Sequence, residues 1–420
     1  MSIQKPVTVA LLASIWLTGS MIFASGEAVI HYGAFGGILL SVSFLLAFLV
    51  LSLLLWRVPG FTNQNRAPFW QKIMLGLIIV MILELLITQG LAAGLIIRSL
   101  FAYSLDTSVF IFFTLIFIAI LFIKKAGDET LDLLRITKLI ALFILAIFLP
   151  NYIFLQKGLE TVYYNLIHYH PRVLHLEQAG LSPFFVASSI IMFSKLVIYI
   201  PLLQRDLAEN RKRTLLKLGI AVLSWSSIVI AFATMTIIGI TERVRSTHVN
   251  ELVLILVEKV APPSIYLAVS VILLFIIMVT FLATLKTALY YWNKVCASKA
   301  GRNSRAVFLI LLLSVLGSII AVRLHLSILD VFFWIGIASG PIGIVLIYNL
   351  CYNYTGSAAW LFPVISLIGA AGARLAFPAL RTTQLVLLSS LSTVIFLLLH
   401  FIAGKLSVTL FSHFSEKKSH

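Results

Sequence analysis

Long apolar runs fill almost the whole chain, and their length limits what it can fold into. Each run holds about 20 residues with few charges, which is the length an α-helix needs to cross the hydrocarbon core of a bilayer. Such continuous runs are unlike the short alternating strands of a membrane β-barrel. Twelve transmembrane spans are predicted, at residues 7–31, 34–56, 72–98, 108–123, 136–156, 184–203, 215–239, 264–291, 306–322, 328–350, 358–376 and 383–403.

The composition agrees with an integral membrane protein whose partner is the lipid bilayer. Apolar residues make up 61% of the 420 residues and charged residues 11%, with a mean hydropathy of +1.08. The net charge of +16 does not indicate nucleic-acid binding here. Most lysines and arginines, Lys138 among them, fall in alternate connections between the spans. That bias predicts that these connections and both termini are cytoplasmic.

The first span is interrupted near its middle by "TGSMIFASGEA" at residues 18–28. A broken helix is tolerated in a bilayer only where its freed backbone groups line a cavity or bind a ligand. A small-residue helix contact is the alternative, but it does not account for the carboxylate of Glu27. The candidate substrate-binding residues are Ser20, Ala24, Ser25, Gly26 and Glu27, and Gly19 is a candidate for the coupling ion.

Span 6 begins in a similar way, with "SPFFVASSIIMFSK" at residues 182–195. Ser188, Ser189 and Lys195 are therefore further candidates for substrate binding. Spans 1 and 6 lie five spans apart and run in opposite directions. Interrupted helices in equivalent places of two halves predict an inverted repeat of five plus five spans.

Charged side chains inside a span are costly and are functional candidates by default. Glu27 would find its nearest partner in Lys195 if spans 1 and 6 face each other. That pair would be either a structural ion pair or a site for a zwitterion such as an amino acid. Glu84, in span 3, would either form a hydrogen bond between helices or take part in proton coupling.

Span 8 carries a face of hydroxyl groups. Thr280, Thr284 and Thr287 are spaced by four and three residues, which places them on one side of a helix. They would either contribute to an ion site or hydrogen-bond to their own backbone. Lys286 points to a different face and would either reach towards the cytoplasm or act as a fixed cation near the ion site.

Two predicted outer connections are long. Residues 157–183 contain His168, His170 and His175, whose surroundings favour an ordinary loop over a metal site. Residues 241–263 contain an apolar stretch too short to span a bilayer, which predicts a short amphipathic helix lying on the outer face.

Together these segments resemble the LeuT-fold transporters of the amino acid–polyamine–organocation superfamily. "GSMIFASGEAVIHYGAFGGIL" is similar to the "GAGFASGQE" signature of YkvI-type bacterial membrane proteins, and "NELVLILVEKVAPPSIYLAVSVILLFIIMVTFLATLKT" to their late segment. "FSKLVIYIPLLQRDLAENRKRTLL" and "LDLLRITKLIALFILAIFLPNYIFLQKGLE" are more similar to sodium:solute symporters. The resemblance covers about the first 350 residues. It implies a ten-helix core at 1–350 and two accessory helices at 351–420.

The resemblance also implies cation-coupled uptake by alternating access. In these families a sodium ion is often held between span 1 carbonyls and two adjacent hydroxyls of span 8. The matching positions here are Ala283 and Thr284, and only Thr284 has a hydroxyl. Coupling to a proton, or to no ion, therefore becomes more credible than in the family at large.

These features predict an all-α polytopic membrane protein with a LeuT-like fold. The expected function is secondary active transport of a small organic solute, with an amino acid as one candidate, across a bacterial cytoplasmic membrane. Na⁺ or H⁺ would be the coupling ion, and no other cofactor is expected. A receptor of the same fold, like a spore-germinant receptor subunit, is the alternative. An enzyme is disfavoured because the chain has no DDxxD-like or HExxH motif. The oligomeric state stays open.

Overall fold

The computed structural model describes residues 16–57, 68–126, 128–175, 178, 180–198, 200–242, 244, 248–296, 303–352 and 361–416. Every regular element in these ranges is helical, which confirms the all-α prediction. The α-helices are α1 (Ser20–Arg57), α2 (Pro68–Phe101), α3 (Leu105–Ala126), α4 (Asp128–Lys157), α5 (Leu159–Tyr169), α6 (Leu181–Ile198), α7 (Ile200–Glu209), α8 (Arg211–Thr241), α9 (Leu252–Val260), α10 (Pro263–Cys296), α11 (Asn303–Arg323), α12 (Ile328–Tyr352), α13 (Leu361–Ala376) and α14 (Thr382–Glu416). Two short 3₁₀ turns cover Pro171–Leu174 and Val249–Glu251.

Within the described ranges, nine helices are long and apolar enough to cross a membrane, and the apolar segments Leu181–Val197 and Leu361–Ala376 are shorter. Helix α1 is longer than one crossing requires because it contains a sharp bend at Gly33, where φ is 71° and ψ is −173°. The predicted boundary between spans 1 and 2 falls at this bend. The total of twelve spans stays a prediction, because residues 1–15 and several connections lie outside the described residues.

Gly33→Ala is expected to destabilise the protein by about 1–3 kcal/mol, because the backbone conformation at this position suits glycine almost alone. A Cβ atom there would lie 2.6 Å from the carbonyl oxygen of Val173 and 2.5 Å from Nε2 of Gln178. Gly369→Ala is the matched control. No heavy atom lies within 4 Å of a Cβ at position 369, on exposed helix α13. That change should be neutral or stabilising by about 0.5–1 kcal/mol. Thermal unfolding in detergent measures both, and equal melting temperatures would contradict the assignment.

The interruption of the first span is present, but it is shorter and earlier than predicted. Leu17, Thr18 and Gly19 are not helical, and α1 runs without a break from Ser20 to the bend at Gly33. Ser25 and Gly26 therefore lie in regular helix. The Ser25 hydroxyl donates to the carbonyl oxygen of Ile22, at 2.8 Å, so its polarity is satisfied within the helix.

The predicted interruption of span 6 at Ser188 and Ser189 is wrong. Helix α6 continues through both serines, and Oγ of Ser189 donates to the carbonyl oxygen of Phe185 at 2.8 Å. Serine hydroxyls bond readily to the preceding helical turn, so small polar residues alone do not break a helix.

The outer arm at residues 249–260 is buried in the protein rather than lying on the membrane surface. It consists of the 3₁₀ turn Val249–Glu251 and helix α9. Leu254, Leu256 and Val257 of α9 are at most 1% exposed. A Cβ at Gly239 of α8 would collide with Leu252, so the two helices are closely packed there. The apolar face predicted for lipid contact is covered by the helix bundle.

Helices α1 and α2 pack against different neighbours. Its largest contacts are with α8 and α6, whereas α2 packs mainly against α10 and α3. Ser41 of α1 and Ser226 of α8 exchange hydrogen bonds, each hydroxyl donating to the other's carbonyl oxygen at 3.1 and 3.2 Å. Helices α13 and α14 lie against α12, and α14 also contacts α6. This arrangement brings the interrupted segment at residues 17–19 together with α2, α6 and α12.

Candidate functional site

A cavity lies where the interrupted segment meets α1, α2, α6, α8 and α12. Its empty volume, including its mouth, is about 840 Å³. Its walls are mainly apolar, with an aromatic set and a small polar set, as is usual for sites that bind small organic molecules. The aromatic residues lining it are Trp16, Phe44, Trp225 and Phe332, and the polar ones are Thr18, Ser20, Glu84, Thr88 and Lys195.

Only some of the predicted substrate-binding residues line this cavity. Ser20, Ala24 and Lys195 do, and so does Glu84, which was predicted for coupling. The residues predicted for binding that are not among its lining are Ser25, Gly26, Glu27, Ser188 and Ser189.

The two glycines of the interrupted segment have neighbours that explain them without a ligand. A Cβ at Gly26 would come within 2.6 Å of Oγ1 of Thr236 on α8, and one at Gly19 would collide with Ile277 on α10. Both positions are close helix contacts, which is the small-residue alternative left open by the sequence.

Ser20 belongs to a small hydrogen-bonded group beside the cavity. Nε2 of Gln89, on α2, lies 2.6 Å from Oγ of Ser20, which in turn lies 3.2 Å from Oγ1 of Thr18. All three side chains are buried. The group ties the non-helical residues of the first span to α2.

Lys195 pairs with Glu84, not with Glu27. Nζ of Lys195 lies 2.9 Å from Oε1 and 2.8 Å from Oε2 of Glu84. The same ammonium group lies 4.6 Å from the centre of the Phe332 ring. The predicted pair between Glu27 and Lys195 is therefore wrong. Spans 1 and 6 do face each other, but the carboxylate that meets Lys195 comes from α2.

Lys195→Met is expected to destabilise the protein by about 3–5 kcal/mol, because it leaves the buried carboxylate of Glu84 without its counter-charge. The double variant Glu84→Gln with Lys195→Met should recover most of that loss, because neither charge is then left alone. Thermal unfolding of the wild type and both variants measures the difference. A double variant less stable than the single one would contradict the pairing.

Glu27 joins three elements beside the cavity. Its Oε2 accepts a hydrogen bond of 2.8 Å from Nδ2 of Asn250 in the outer arm and one of 2.9 Å from the backbone N–H of Leu329 at the start of α12. Nε2 of His31 lies 3.7 Å from Oε1. The Glu27 side chain is 1% exposed. Leu329 itself lines the cavity, so this cluster, which we call the outer latch after the predicted topology, lies beside it.

A second contact holds the outer arm against α2. Nη1 of Arg98 lies 3.4 Å from Oε1 of Glu251, the residue after Asn250. The arm is connected by polar contacts to both α1 and α2.

Lys138 is fully buried at the interrupted segment. Its Nζ donates to the carbonyl oxygen of Leu17, at 3.1 Å, and lies 3.2 Å from Oγ1 of Thr280 on α10. The sequence had placed Lys138 in a basic cytoplasmic connection, and this is wrong. The structure puts it within α4, where its ammonium group bridges the broken first span and the hydroxyl face of span 8.

The threonines of span 8 hydrogen-bond mainly to their own helix. The hydroxyls of Thr280, Thr284 and Thr287 each donate to the carbonyl oxygen four residues earlier, at 2.7, 2.9 and 3.1 Å. Of the two positions that the family resemblance suggested for sodium, Ala283 has no side-chain oxygen and the Thr284 hydroxyl is used in this way. Lys286 is half-buried and is not among the residues lining the cavity.

Metal binding finds no support in the part of the chain that the structure describes, where no three His, Cys, Asp or Glu side chains are grouped to hold an ion. His168 stacks on Tyr164, with ring centres 4.0 Å apart.

Sequence reasoning missed three residues of the site: Lys138, Asn250 and Trp16. A signal existed for Lys138, because "ITKLIALF" places it inside the apolar run of span 5 rather than before it. Asn250 directly precedes the apolar stretch of the outer arm, as a lone amide before eight apolar or acidic residues. Trp16 looked like any other apolar residue of the first span.

Comparison with solved structures identifies the fold. The structure of a Na⁺-coupled sialic acid symporter, bound to substrate and open to the outside, aligns with a TM-score of 0.66 and 15% identity over 93% of this chain and 88% of that one. Mhp1, a transporter of the nucleobase-cation-symport-1 family with bromovinylhydantoin bound, aligns with a TM-score of 0.58 and 13% identity over 96% of this chain and 92% of that one. A manganese transporter of Eremococcus coleocola aligns with a TM-score of 0.57 and 13% identity over 92% of this chain and 90% of that one.

The chain is thus a polytopic membrane protein with the LeuT fold, as predicted from its interrupted first span and the order of its segments. Identities this low establish the fold alone. No protein-family model matches the chain, and no curated protein sequence is significantly similar to it.

Proposed function

We propose that the protein is a secondary transporter that moves a small organic solute across the cytoplasmic membrane and is coupled to protons rather than to Na⁺. The solute binds in the cavity beneath the outer latch. Ser20, Ala24, Glu84 and Lys195 contribute to its walls. The protein acts as a carrier and not as an enzyme.

The position of Lys138 carries this proposal. In the family that the sequence resembles, a sodium ion is often held between carbonyls of the first span and hydroxyls of span 8. Here an ammonium group lies between the carbonyl oxygen of Leu17 and the hydroxyl of Thr280. A sodium ion beside it would be repelled and would compete for the same oxygen atoms. The residues at this place therefore fit a built-in cation better than a bound one.

A lysine side chain can replace a coupling ion, because it binds and releases a proton. It is charged with its proton bound and neutral without it, and only the charged form donates strongly to both oxygen atoms. Loss of the proton would weaken the connection between α4, the broken segment and α10. Proton binding and release at Lys138 would then bias how the first span packs against α10, as a coupling ion must.

Alternating access is proposed to use the outer latch and the interrupted segment. The outer arm is joined to α1 and α12 through Glu27, and in this proposal those hydrogen bonds close the outer side of the cavity. Opening requires these hydrogen bonds to separate. The ten-helix core at 1–350, the accessory helices at 351–420 and the cytoplasmic position of both termini are part of the same proposal.

Sodium is expected to have no effect on the purified protein. A ligand that binds only the folded state raises the melting temperature, in proportion to the logarithm of its concentration over Kd when saturating. We expect equal melting temperatures in sodium chloride and choline chloride at matched ionic strength. Reconstituted vesicles should take up protons when substrate is added outside, without any sodium gradient. A melting temperature that rises specifically with sodium would overturn the proton-coupled assignment.

A further inference from the structure

The charges that line the cavity cancel each other. Glu84 and Lys195 are the charged residues among its lining, and they form one ion pair. A ligand with a net charge would enter a mainly apolar space that offers it no free counter-charge, which is strongly unfavourable. The cavity therefore favours a solute without net charge.

The charges of Glu84 and Lys195 are bound to each other, so neither is free to pair with a charged ligand. Both oxygen atoms of Glu84 lie within 2.9 Å of Nζ of Lys195, whose ammonium group also lies over the Phe332 ring. An amino acid could use the two charges only by separating them first. A neutral ligand can bind the pair as it stands, because a carboxylate has about four acceptor positions and an ammonium has three donors.

The pair thus presents an acceptor and a donor side by side. Their complement is a cis-amide edge, in which an N–H group and a C=O group lie next to each other on one side of a ring. The N–H would donate to a Glu84 oxygen, and the C=O would accept from Lys195. Hydrogen bonds to charged partners are stronger than neutral ones, so this edge would orient the ligand.

Aromatic side chains supply walls for a flat molecule. The ring centres of Trp16 and Phe44 are 5.6 Å apart, and those of Phe44 and Trp225 are 4.7 Å apart, in edge-to-face arrangements. All three line the cavity together with Phe332. Aromatic rings contact other rings favourably in stacked or edge-to-face geometry, so the walls suit a planar ring.

We infer that the substrate is a planar, uncharged ring with a cis-amide edge, such as a lactam, an imide or a nucleobase, and that Glu84 and Lys195 determine this specificity. The inference rests on the proposed transport function for the role of the cavity. It replaces the amino acid that the sequence suggested through the mistaken pair of Glu27 and Lys195.

Uracil and its N,N′-dimethyl derivative test the inference as a matched pair. The two rings have similar faces, but the methyl groups remove the N–H donors. Binding to the purified full-length protein is measured by calorimetry and by thermal stabilisation, with the zwitterion leucine and the anion indoleacetate as comparators. We expect uracil to bind, the dimethyl derivative to bind at least about tenfold more weakly, and the comparators not to bind.

The double variant Glu84→Gln with Lys195→Met adds a check on the protein side. It should keep most of its thermal stability, as argued above, but bind uracil at least about tenfold more weakly. Equal binding of uracil and its dimethyl derivative, tighter binding of leucine, or no binding of uracil would each overturn the substrate class.

Failure of the substrate class can be told apart from failure of the transport function. Uracil binding without uptake into reconstituted vesicles would keep the class and reject transport, which would favour a receptor. Proton-coupled uptake of leucine would keep transport and reject the class.

Discussion

Replacing Lys138 by methionine is expected to reduce proton-driven uptake by about 5- to 150-fold, the range typical of a lost coupling between two sites. The physical reason is the loss of the ammonium group between the carbonyl oxygen of Leu17 and the hydroxyl of Thr280. Without it, the proton-dependent connection between Leu17 of the first span and Thr280 of α10 is lost. Uptake into reconstituted vesicles, driven by an inward proton gradient, measures the effect.

Thr137→Val is the matched control for this experiment. Thr137 is the neighbour of Lys138 but is exposed, and its hydroxyl donates to the carbonyl oxygen of Leu133 in its own helix. Its replacement should leave uptake unchanged. Substrate binding at equilibrium separates coupling from assembly, because Lys138→Met should still bind while it no longer transports. Full proton-driven uptake by Lys138→Met would reject Lys138 as the coupling group.

Glu27→Ala is expected to open the outer side of the cavity. The change leaves two buried donors, Nδ2 of Asn250 and the backbone N–H of Leu329, without an acceptor, and each costs about 1–3 kcal/mol. Because about 1.4 kcal/mol corresponds to a tenfold change in an equilibrium constant, the ratio of the open to the closed state should rise at least about tenfold. A cysteine at Met192, which lines the cavity, reports this as faster labelling by a membrane-impermeant thiol reagent.

The labelling experiment needs Cys296 and Cys351 replaced by serine in every variant. Glu27→Gln should have a smaller effect than Glu27→Ala, because its amide oxygen still accepts a hydrogen bond. Glu258→Gln, at an exposed position of α9, removes a carboxylate from the same outer arm and should change nothing. Unchanged labelling in Glu27→Ala would show that the outer latch does not hold the cavity closed.

Glu27 shows how far reasoning from the sequence could reach. Its presence inside a span, just after an interruption, correctly marked it as unusual, since a buried carboxylate needs partners. Its role as a substrate ligand stays untested, and the structure places it above the cavity rather than in its lining. Its partners, Asn250 and Leu329, are more than 220 residues away in sequence. No local pattern connects them.

Lys195 and Lys138 were misjudged for related reasons. Lys195 was paired with Glu27 because spans 1 and 6 were expected to face each other, which they do. The choice between Glu27 and Glu84 depends on how each helix is rotated about its own axis, and an apolar helix in a bilayer has little local signal for that rotation. Lys138 lies at the edge of the apolar run of span 5. At such an edge, a shift of one or two helical turns decides whether a residue lies in a loop or is fully buried.

The sequence by itself determined the class of structure: a helical membrane protein, the approximate spans and an interrupted first helix. Each follows from short stretches, because hydropathy and glycine conformation act within a few turns of chain. The tertiary structure alone decided that Lys195 meets Glu84, that Glu27 closes the outer arm, and that Lys138 lies at the break. Those pairings depend on helix rotation and depth, since a buried charge takes whichever partner the folded bundle brings within hydrogen-bonding distance.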